Sequence, residues 1–248
     1  MRYFFEIAYN GANYHGWQIQ KNAKSIQEVI TDHLRTKLRE DIDIVGSGRT
    51  DKGVHAFQQY FHTDIIKSID PDDFKLDMNG FLPPDIVIRR IRKVSDKAHA
   101  RFDAVRRSYK YELITSRDPF KHHYAYYFFG DLDLNLLNKA SKHLLGIQNF
   151  ESFSKVKTKV DNFSCEIFDA NWKMENNSIT FSISANRFLR GMVRAIVGTL
   201  LEIGLGKISP SQIKKIIELK DRKEAGQSVP AKGLYLTEVT YPVSIFEE

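Results

Sequence analysis

The chain carries the same order of strand and helix patterns twice, and this repetition restricts its fold more than any single motif does. Alternating and amphipathic runs predict β-α-β-β-α-β in the first half, over residues 3–9, 25–39, 42–45, 54–63, a short helix from 71, and 86–94. The second half repeats this order with one additional helix, over 108–115, 134–145, 163–174, 178–185, 187–205, 211–219 and 234–241. This is the order of ferredoxin-like units in tandem. We therefore expect an α+β protein of two ferredoxin-like (βαββαβ) halves, with mostly antiparallel sheets and helices on one face of each.

Local signals support several of these segments. Ser25 with Glu28 forms the pattern of a capping box before the first helix. Asp70 followed by Pro71 is typical of a helix start. Because the patterns change near residues 95–104, we predict an N-terminal domain over 1–99 and a C-terminal domain over 100–248, with the open sheet faces available to a ligand.

A charged, glycine-rich turn containing Asp51 separates two of the predicted strands. Its sequence is Gly46-Ser47-Gly48-Arg49-Thr50-Asp51-Lys52-Gly53-Val54-His55-Ala56. Glycines allow a ligand to approach the backbone closely. Cations beside a carboxylate favour its charged form when a ligand covers it. Asp51, flanked by Arg49 and Lys52, is therefore a candidate nucleophile or base.

The glycine spacing of this turn differs from that of known phosphate-binding loops. A strand is predicted after it, whereas a dinucleotide fingerprint precedes a helix. Val54 and His55 stand where a P-loop requires Lys and Ser or Thr. An ordinary turn with a charged tip remains an alternative on this pattern alone.

Composition excludes several classes of protein. The single cysteine, Cys165, excludes an internal disulfide framework and lies in a strand-like run, which predicts a buried structural thiol. No apolar run approaches the ~18 residues of a membrane span, and the N-terminus begins with a strand pattern, so we expect a cytoplasmic protein without a membrane partner. The eight histidines show no metal-ligand spacing, so no metal is predicted, and His55 is expected to shape the Asp51 turn.

The positive charge of the chain indicates a polyanionic partner. The net charge is +6, and aromatic residues interleave with the basic ones. The basic clusters are Arg89, Arg90, Arg92 and Lys93; Arg101, Arg106, Arg107 and Lys110; and Arg187, Arg190 and Arg194. Such a mixture suits RNA phosphates and stacked bases.

The helix predicted over 187–205 would place Arg187, Arg190 and Arg194 on one stripe. A solvated charged face is the alternative, but planar guanidinium groups without acidic neighbours favour anion recognition. Tyr109 and Tyr111 share one face of a predicted strand, so we expect one to pack in the core and the other to be available to stack on a base. The loop over 13–18 either covers a ligand or closes the sheet.

Several motifs together resemble the tRNA pseudouridine synthase A family. They lie in the family's order along nearly the whole chain, at residues 9–18, 48–56, 100–111, 186–198 and 231–236. The string from Gly48 to Ala56 resembles the family signature. Two positions depart from the pattern: Lys52 replaces a frequent Ala, and Ala195 replaces a frequent Asn.

The resemblance implies a homodimeric enzyme that converts uridine to pseudouridine at positions 38–40 of the tRNA anticodon stem-loop without a cofactor. It implies that Asp51 is the catalytic carboxylate, that Tyr109 stacks on the target base, and that Arg49 and Arg194 help to hold Asp51 and the flipped nucleotide. RNA would bind in a cleft between the halves, and the expected RNA-binding residues are Arg101, Arg107, Arg187 and Arg190.

Two other functions are consistent with parts of the sequence. A non-catalytic tandem RNA-binding protein would share the β-α-β-β-α-β order, but neither half has the aromatic-rich strand of an RNA-recognition module. A phosphohydrolase would need a divalent metal and a second carboxylate near Asp51, and the sequence shows no such pair there.

Overall fold

The computed structural model describes residues 1–156 and 161–246 of the 248-residue chain. The chain forms two compact units: residues 1–106 together with the segment from Leu236, and Arg107–Tyr235. The fold is α+β with mostly antiparallel strand pairs, as expected. The predicted division into domains 1–99 and 100–248 stays a prediction.

The first unit contains the predicted order of elements. They are β1 (Arg2–Tyr9), α1 (Ile26–Leu38), β2 (Val45–Gly46), β3 (His55–Asp64), α2 (Pro71–Phe81) and β4 (Ile86–Val94). Strand β1 lies between β4 and β3, antiparallel to both, and β2 pairs with β3. The strand predicted over 42–45 is wrong in extent, because only Val45 and Gly46 pair with β3.

Side-chain caps fix the starts of both helices of this unit. The Ser25 hydroxyl accepts from the Glu28 N–H, and the Glu28 carboxylate accepts from the Ser25 N–H, each at 3.2 Å. Both bonds of the predicted capping box are therefore present. Asp70 caps α2 by accepting from Asp72 and Asp73 at 3.0 Å, with Pro71 at the first helical position.

The two faces of this sheet have different partners. On one face, Phe5 stacks on Phe61 at 4.7 Å between ring centroids, and Phe5 also meets Phe74 of α2 at 6.4 Å. On the other face, Tyr241 packs edge-on against Phe4 at 5.4 Å and Tyr60 at 5.1 Å. The Tyr241 hydroxyl also donates to the carbonyl oxygen of Ala100 at 2.6 Å. The segment from Leu236 is thus part of the core of the first unit.

The second unit consists of an antiparallel sheet and helices. Its elements are β5 (Arg106–Ile114), β6 (Tyr126–Tyr127), α3 (Leu134–Ser141), β7 (Gly146–Asn149), β8 (Ser164–Glu175), β9 (Ser178–Ala185), α4 (Met192–Gly204) and α5 (Gln212–Leu219). The strand order is β5-β9-β8-β7, and β6 pairs in parallel with β5. A last strand, β10 (Leu234–Thr240), spans the boundary that separates the two units along the chain.

The hairpin of β8 and β9 confirms the turn predicted at Asn176-Asn177. Asn176 adopts φ = +53°, a left-handed conformation that asparagine tolerates better than most residues. The short strands β6 and β7 were not predicted, because two and four residues carry too little periodicity to distinguish them from loop.

The prediction of a helix from residue 187 is wrong. Helix α4 begins at Met192, and Gly191 before it has φ = +75°, which no right-handed helix accommodates. Arg187 and Arg190 therefore precede the helix, and only Arg194 lies on it. The three arginines do not form one helical stripe.

Each helix in residues 1–156 and 161–246 is too short or too polar to span a lipid bilayer. Nor do the described residues place three or more His, Cys, Asp or Glu side chains where they could hold a metal ion together.

Candidate functional site

Asp51 lies in the turn between β2 and β3, as predicted. The turn closes with a hydrogen bond from the Val54 N–H to the Asp51 carbonyl oxygen at 3.1 Å, and Gly53 adopts φ = +78°. Asp51 is half-buried, whereas Arg49 and Lys52 are both exposed. The carboxylate is thus placed at the rim of the sheet, with two cations on the same turn.

The loop after β1 forms backbone hydrogen bonds with this turn. The Trp17 N–H donates to the Thr50 carbonyl oxygen, and the Gly53 N–H donates to the Tyr14 carbonyl oxygen, both at 3.2 Å. Tyr14 and Trp17 are buried. The backbone of the turn is therefore bonded on both sides of Asp51 to one loop. Residues 13–18 thus contact the Asp51 turn, and the role of this loop in covering a ligand stays a prediction.

Glycines allow this close contact between loop and turn. Gly16 has φ = +90°, and a Cβ there would lie 2.3 Å from the Thr50 carbonyl oxygen. A Cβ on Gly11 would lie 1.9 Å from the carbonyl oxygen of Val54. Side chains at either position would push the loop and the turn apart. The contact explains why glycines are present in the loop as well as in the turn.

Buried polar side chains from β1 and β3 hold the residues on both sides of Arg49. The Tyr9 hydroxyl donates to Gln59 Oε1 at 2.7 Å and lies 2.8 Å from the Thr50 hydroxyl. Gln59 Nε2 in turn donates to the Gly48 carbonyl oxygen at 3.3 Å. Sequence reasoning missed Tyr9 and Gln59. The available signal was a polar Gln59 at an inward position of a strand, which needs a buried partner.

His55 has the structural role that was predicted for it. It is buried at the start of β3, and its Nδ1 accepts from the Gly11 N–H at 3.2 Å. An accepting Nδ1 places the proton of the neutral ring on Nε2. The ring therefore joins the loop after β1 to the strand that leaves the Asp51 turn.

Tyr109 and Tyr111, two residues apart on β5 in the second unit, have different surroundings. Tyr111 is buried, its hydroxyl donates to the Pro230 carbonyl oxygen at 2.8 Å, and burial raises the pKa of its phenol. Tyr109 is half-buried and packs edge-on against Phe188, with ring centroids 5.1 Å apart. The prediction that one of the two packs in the core is confirmed, for Tyr111. Stacking by Tyr109 stays a prediction.

Arg194 is fixed in the first turn of α4. Its Nε donates to the Val229 carbonyl oxygen at 2.7 Å, and the Val229 N–H donates back to the Arg194 carbonyl oxygen at 3.2 Å. One turn further on, a Cβ at Gly198 would lie 1.8 Å from the Gln227 carbonyl oxygen, so the segment 227–229 lies directly against the helix. These contacts orient the guanidinium plane, which planar anion recognition requires.

The other predicted RNA-binding arginines lie in both units. Arg107 donates to the Asn186 carbonyl oxygen at 2.9 Å, and Arg187 is half-buried near Cys165. Burial raises the pKa of the Cys165 thiol to about 11, although Arg187 opposes the rise, so this thiol is a structural group, as predicted. Arg190 in the second unit and Arg101 in the first are exposed.

Comparison with known proteins confirms the resemblance carried by the motifs. The family model described as tRNA pseudouridine synthase matches residues 7–103 and 140–242. The tRNA pseudouridine synthase A of Bacteroides thetaiotaomicron is 48% identical over 250 residues, covering 100% of this chain and 93% of the relative. The enzyme of the same name from Bacillus subtilis is 39% identical, covering 97% of this chain and 99% of the relative. The chain therefore belongs to the tRNA pseudouridine synthase family, a family of isomerases.

Proposed function

We propose that this protein converts uridines at positions 38–40 of the tRNA anticodon stem-loop to pseudouridine, with Asp51 as the nucleophile and without a cofactor. The observation that carries the proposal is the half-buried position of Asp51 on a turn whose backbone is bonded to Tyr14 and Trp17. This turn lies within the first segment matched by the family model. A carboxylate held in one place is what a reaction at a single sugar or base carbon requires.

The reaction is an isomerisation, so its atoms balance without a second substrate. The N1–C1′ bond breaks, a C5–C1′ bond forms, a proton leaves C5, and N1 gains a proton. The carboxylate could attack C1′, attack C6, or remove a proton from the sugar. Each of these three steps needs an anionic carboxylate oxygen at the position of Asp51. The side chains flanking Asp51 supply positive charge on the same turn, at Arg49 and Lys52.

We propose substrate-binding roles for three residues. Tyr109 stacks on the target base, and its ring is only half-buried. Flipping that base out of the stacked RNA costs a few kcal/mol, which such stacking helps to offset. Arg49 and Arg194 help to hold Asp51 and the flipped nucleotide. The orientation of the Arg194 guanidinium by Val229 supports a directional contact to an anion.

Arg101, Arg107, Arg187 and Arg190 are proposed to bind tRNA phosphates, in line with the net charge of +6. The strand order β4-β1-β3-β2 of the first unit supports a ferredoxin-like first half. The ferredoxin-like second half, the RNA-binding cleft, the homodimer and a cytoplasmic location belong to the same proposal.

The proposal is tested with Asp51→Asn, which keeps the shape of the side chain but removes the charge. We expect the variant to bind unmodified tRNA with the affinity of the unchanged protein and to form no detectable pseudouridine. Chromatography of the digested nucleosides measures this, because it separates pseudouridine from uridine although the two isomers have the same mass. Asp41→Asn is the matched control, because that carboxylate is 93% exposed and forms only a surface ion pair with Arg35.

Turnover by Asp51→Asn would contradict the role of Asp51. Binding of tRNA by the unchanged protein without pseudouridine in any tRNA would instead favour the non-catalytic RNA-binding protein. Labelling of pseudouridine with a carbodiimide, followed by mapping of the reverse-transcription stops, tests the assignment to 38–40 separately.

A further inference from the structure

The second unit contains a cavity that none of the proposed catalytic or RNA-binding residues lines. Its volume is about 820 Å³, within the range of small-molecule sites, which is about 300–1,000 Å³. It lies between the segment that follows β5 and the residues that precede β10. The polar and aromatic residues of its wall that matter here are Arg117, His122, His123, Tyr126, Tyr127 and Lys232.

Hydrogen bonds hold the wall of this cavity in place. Tyr126 and Tyr127 form β6, which pairs with the end of β5, and the Phe128 N–H donates to the Ile114 carbonyl oxygen at 3.0 Å. On the other side, Lys232 Nζ donates to the His122 carbonyl oxygen at 2.7 Å. The loop between β5 and β6 is thus tied at both ends to the body of the second unit.

Most of the accessible surface of the wall is apolar, which suits an aromatic base, and two cationic side chains supply positive charge for a phosphate. Arg117 and Lys232 are cations at neutral pH, and the bond to His122 uses only one of the three N–H donors of the lysine. The Arg117 guanidinium lies 5.7 Å from the centre of the Tyr127 ring, so it faces an aromatic surface. The acidic residue of the wall, Asp118, accepts from the Phe120 N–H at 2.9 Å and so stabilises its own turn.

We infer that this cavity binds one nucleotide of the tRNA other than the uridine that is isomerised. The base lies against the aromatic side chains, Tyr127 foremost, and its phosphate lies near Arg117 and Lys232. Stacking and phosphate contacts of this kind bind single-stranded RNA in many proteins. The inference rests on the proposed function for the identity of the RNA. It adds an RNA-binding site outside the catalytic residues.

Cross-linking of the unchanged protein tests the inference without any variant. tRNA containing 4-thiouridine is irradiated in complex with the full-length protein, and the attached peptides are identified by mass spectrometry. We expect cross-links to residues 117–127. Cross-links at other segments with none at 117–127 would overturn the inference.

A charge test measures the binding of phosphate. The double variant Arg117→Ala with Lys232→Ala should show a salt dependence of tRNA affinity that is shallower by about 0.7–0.9 log units per log unit of salt for each phosphate that is no longer neutralised. Lys139→Ala with Lys173→Ala is the control, since both lysines lie in the same unit and neither lines the cavity. Equal slopes for the two double variants would overturn the inference.

An aromatic test measures the stacking of the base. Tyr127→Leu should weaken tRNA binding roughly 5–150-fold, the equivalent of the usual stacking energy, whereas Tyr127→Phe should bind as the unchanged protein does. At saturating tRNA the rate of pseudouridine formation should not change, so KM rises while kcat stays. Thermal unfolding shows whether both variants are folded. Equal tRNA affinity of folded Tyr127→Leu and Tyr127→Phe would contradict the stacking.

Two outcomes separate this inference from its alternatives. If the unchanged protein forms no pseudouridine, the proposed function fails, while the cross-links and the salt slopes still decide whether RNA occupies the cavity. If the Arg117 and Lys232 double variant changes the mass of the protein in sedimentation, the surface joins two copies of the chain, and the nucleotide site is refuted.

Discussion

Gly16 lies directly against Thr50 in the turn that carries Asp51. A Cβ on Gly16 would be 2.3 Å from the Thr50 carbonyl oxygen, and the φ of Gly16 is +90°. Both the space and the backbone conformation therefore exclude other residues. The position of Asp51 depends on a glycine that lies 35 residues earlier in the chain.

The first prediction is that Gly16→Ala displaces the Asp51 turn. Steric conflict costs about 1–3 kcal/mol and the left-handed backbone about 1–2 kcal/mol, so the free energy of unfolding should fall by about 2–5 kcal/mol, with loss of activity. Urea unfolding measures the first effect and pseudouridine formation the second. Gly48→Ala is the control for stability, because no atom lies within 4 Å of the position of its Cβ. Equal stability of the two variants would show that the close approach of Gly16 to Thr50 is unimportant.

The second prediction concerns the buried hydroxyl of Tyr9. Tyr9→Phe leaves Gln59 Oε1 without the donor that lies at 2.7 Å, which should lower the free energy of unfolding by about 1–3 kcal/mol. Because Gln59 also holds the Gly48 carbonyl, kcat should decrease as well. Tyr3→Phe is the comparison: Tyr3 is also buried, but its hydroxyl makes only long contacts, at 3.4 Å to the Ile69 N–H and 4.0 Å to Met1 Sδ. A Tyr9→Phe variant as active and stable as Tyr3→Phe would be the contrary result.

The third prediction is a pH dependence of stability that comes from His62. Burial, with smaller contributions from Arg2 and His99, lowers the pKa of its imidazole from 6.5 to about 4, while Asp64 and Asp103 oppose the shift. Between pH 6.5 and pH 4 the unfolded chain therefore binds a proton here that the folded chain does not. Folding stability must fall as the pH decreases through this window, by at most about 3 kcal/mol from this group.

The measurement compares the unchanged protein with His62→Gln, which does not titrate and whose amide oxygen replaces Nδ1 as acceptor for the Ala100 N–H at 3.1 Å. Carboxylates that titrate in the same range are common to both proteins and cancel in the difference. The unchanged protein should lose more stability on acidification to pH 4 than the variant. Parallel pH profiles would contradict the prediction.

The fourth prediction concerns Tyr109. Tyr109→Leu should lower kcat/KM for tRNA roughly 5–150-fold, because the aromatic surface for stacking is removed, while Tyr109→Phe keeps most of the stacking. Tyr111→Phe should lower stability by about 1 kcal/mol through loss of its bond to Pro230, with little effect on catalysis. Steady-state kinetics with unmodified tRNA and urea unfolding separate the two tyrosines. A Leu variant at position 109 with unchanged kcat/KM would exclude the stacking role.

The parts of the fold that the sequence predicts are those set by neighbouring residues. The capping box of Ser25 and Glu28 lies within one turn of chain, and both of its bonds are present. The turn at Asn176 is indicated by asparagine itself, which tolerates the observed φ of +53° better than most residues. In each case the sequence signal lies within a few positions of chain, so local chemistry was enough to predict the structure.

The predictions from sequence fail where a distant contact or a single dihedral angle determines the local structure. The run from 187 has a helical pattern, yet Gly191 adopts φ = +75° and Arg187 and Arg190 lie outside the helix. The support of the Asp51 turn was missed for a different reason. Tyr9 meets Gln59 across 50 positions of sequence, and such a pairing follows only from the register of β1 and β3.

The packing of Tyr241 against Phe4 and Tyr60 has a consequence for synthesis of the protein on the ribosome. About 130 residues separate residue 106 from the returning segment at Leu236, which corresponds to on the order of 10 s of translation. During that interval the face of the N-terminal sheet that carries Phe4 and Tyr60 is not yet packed against Tyr241. The nascent chain therefore exposes the aromatic rings of Phe4 and Tyr60 until Tyr241 has been synthesised.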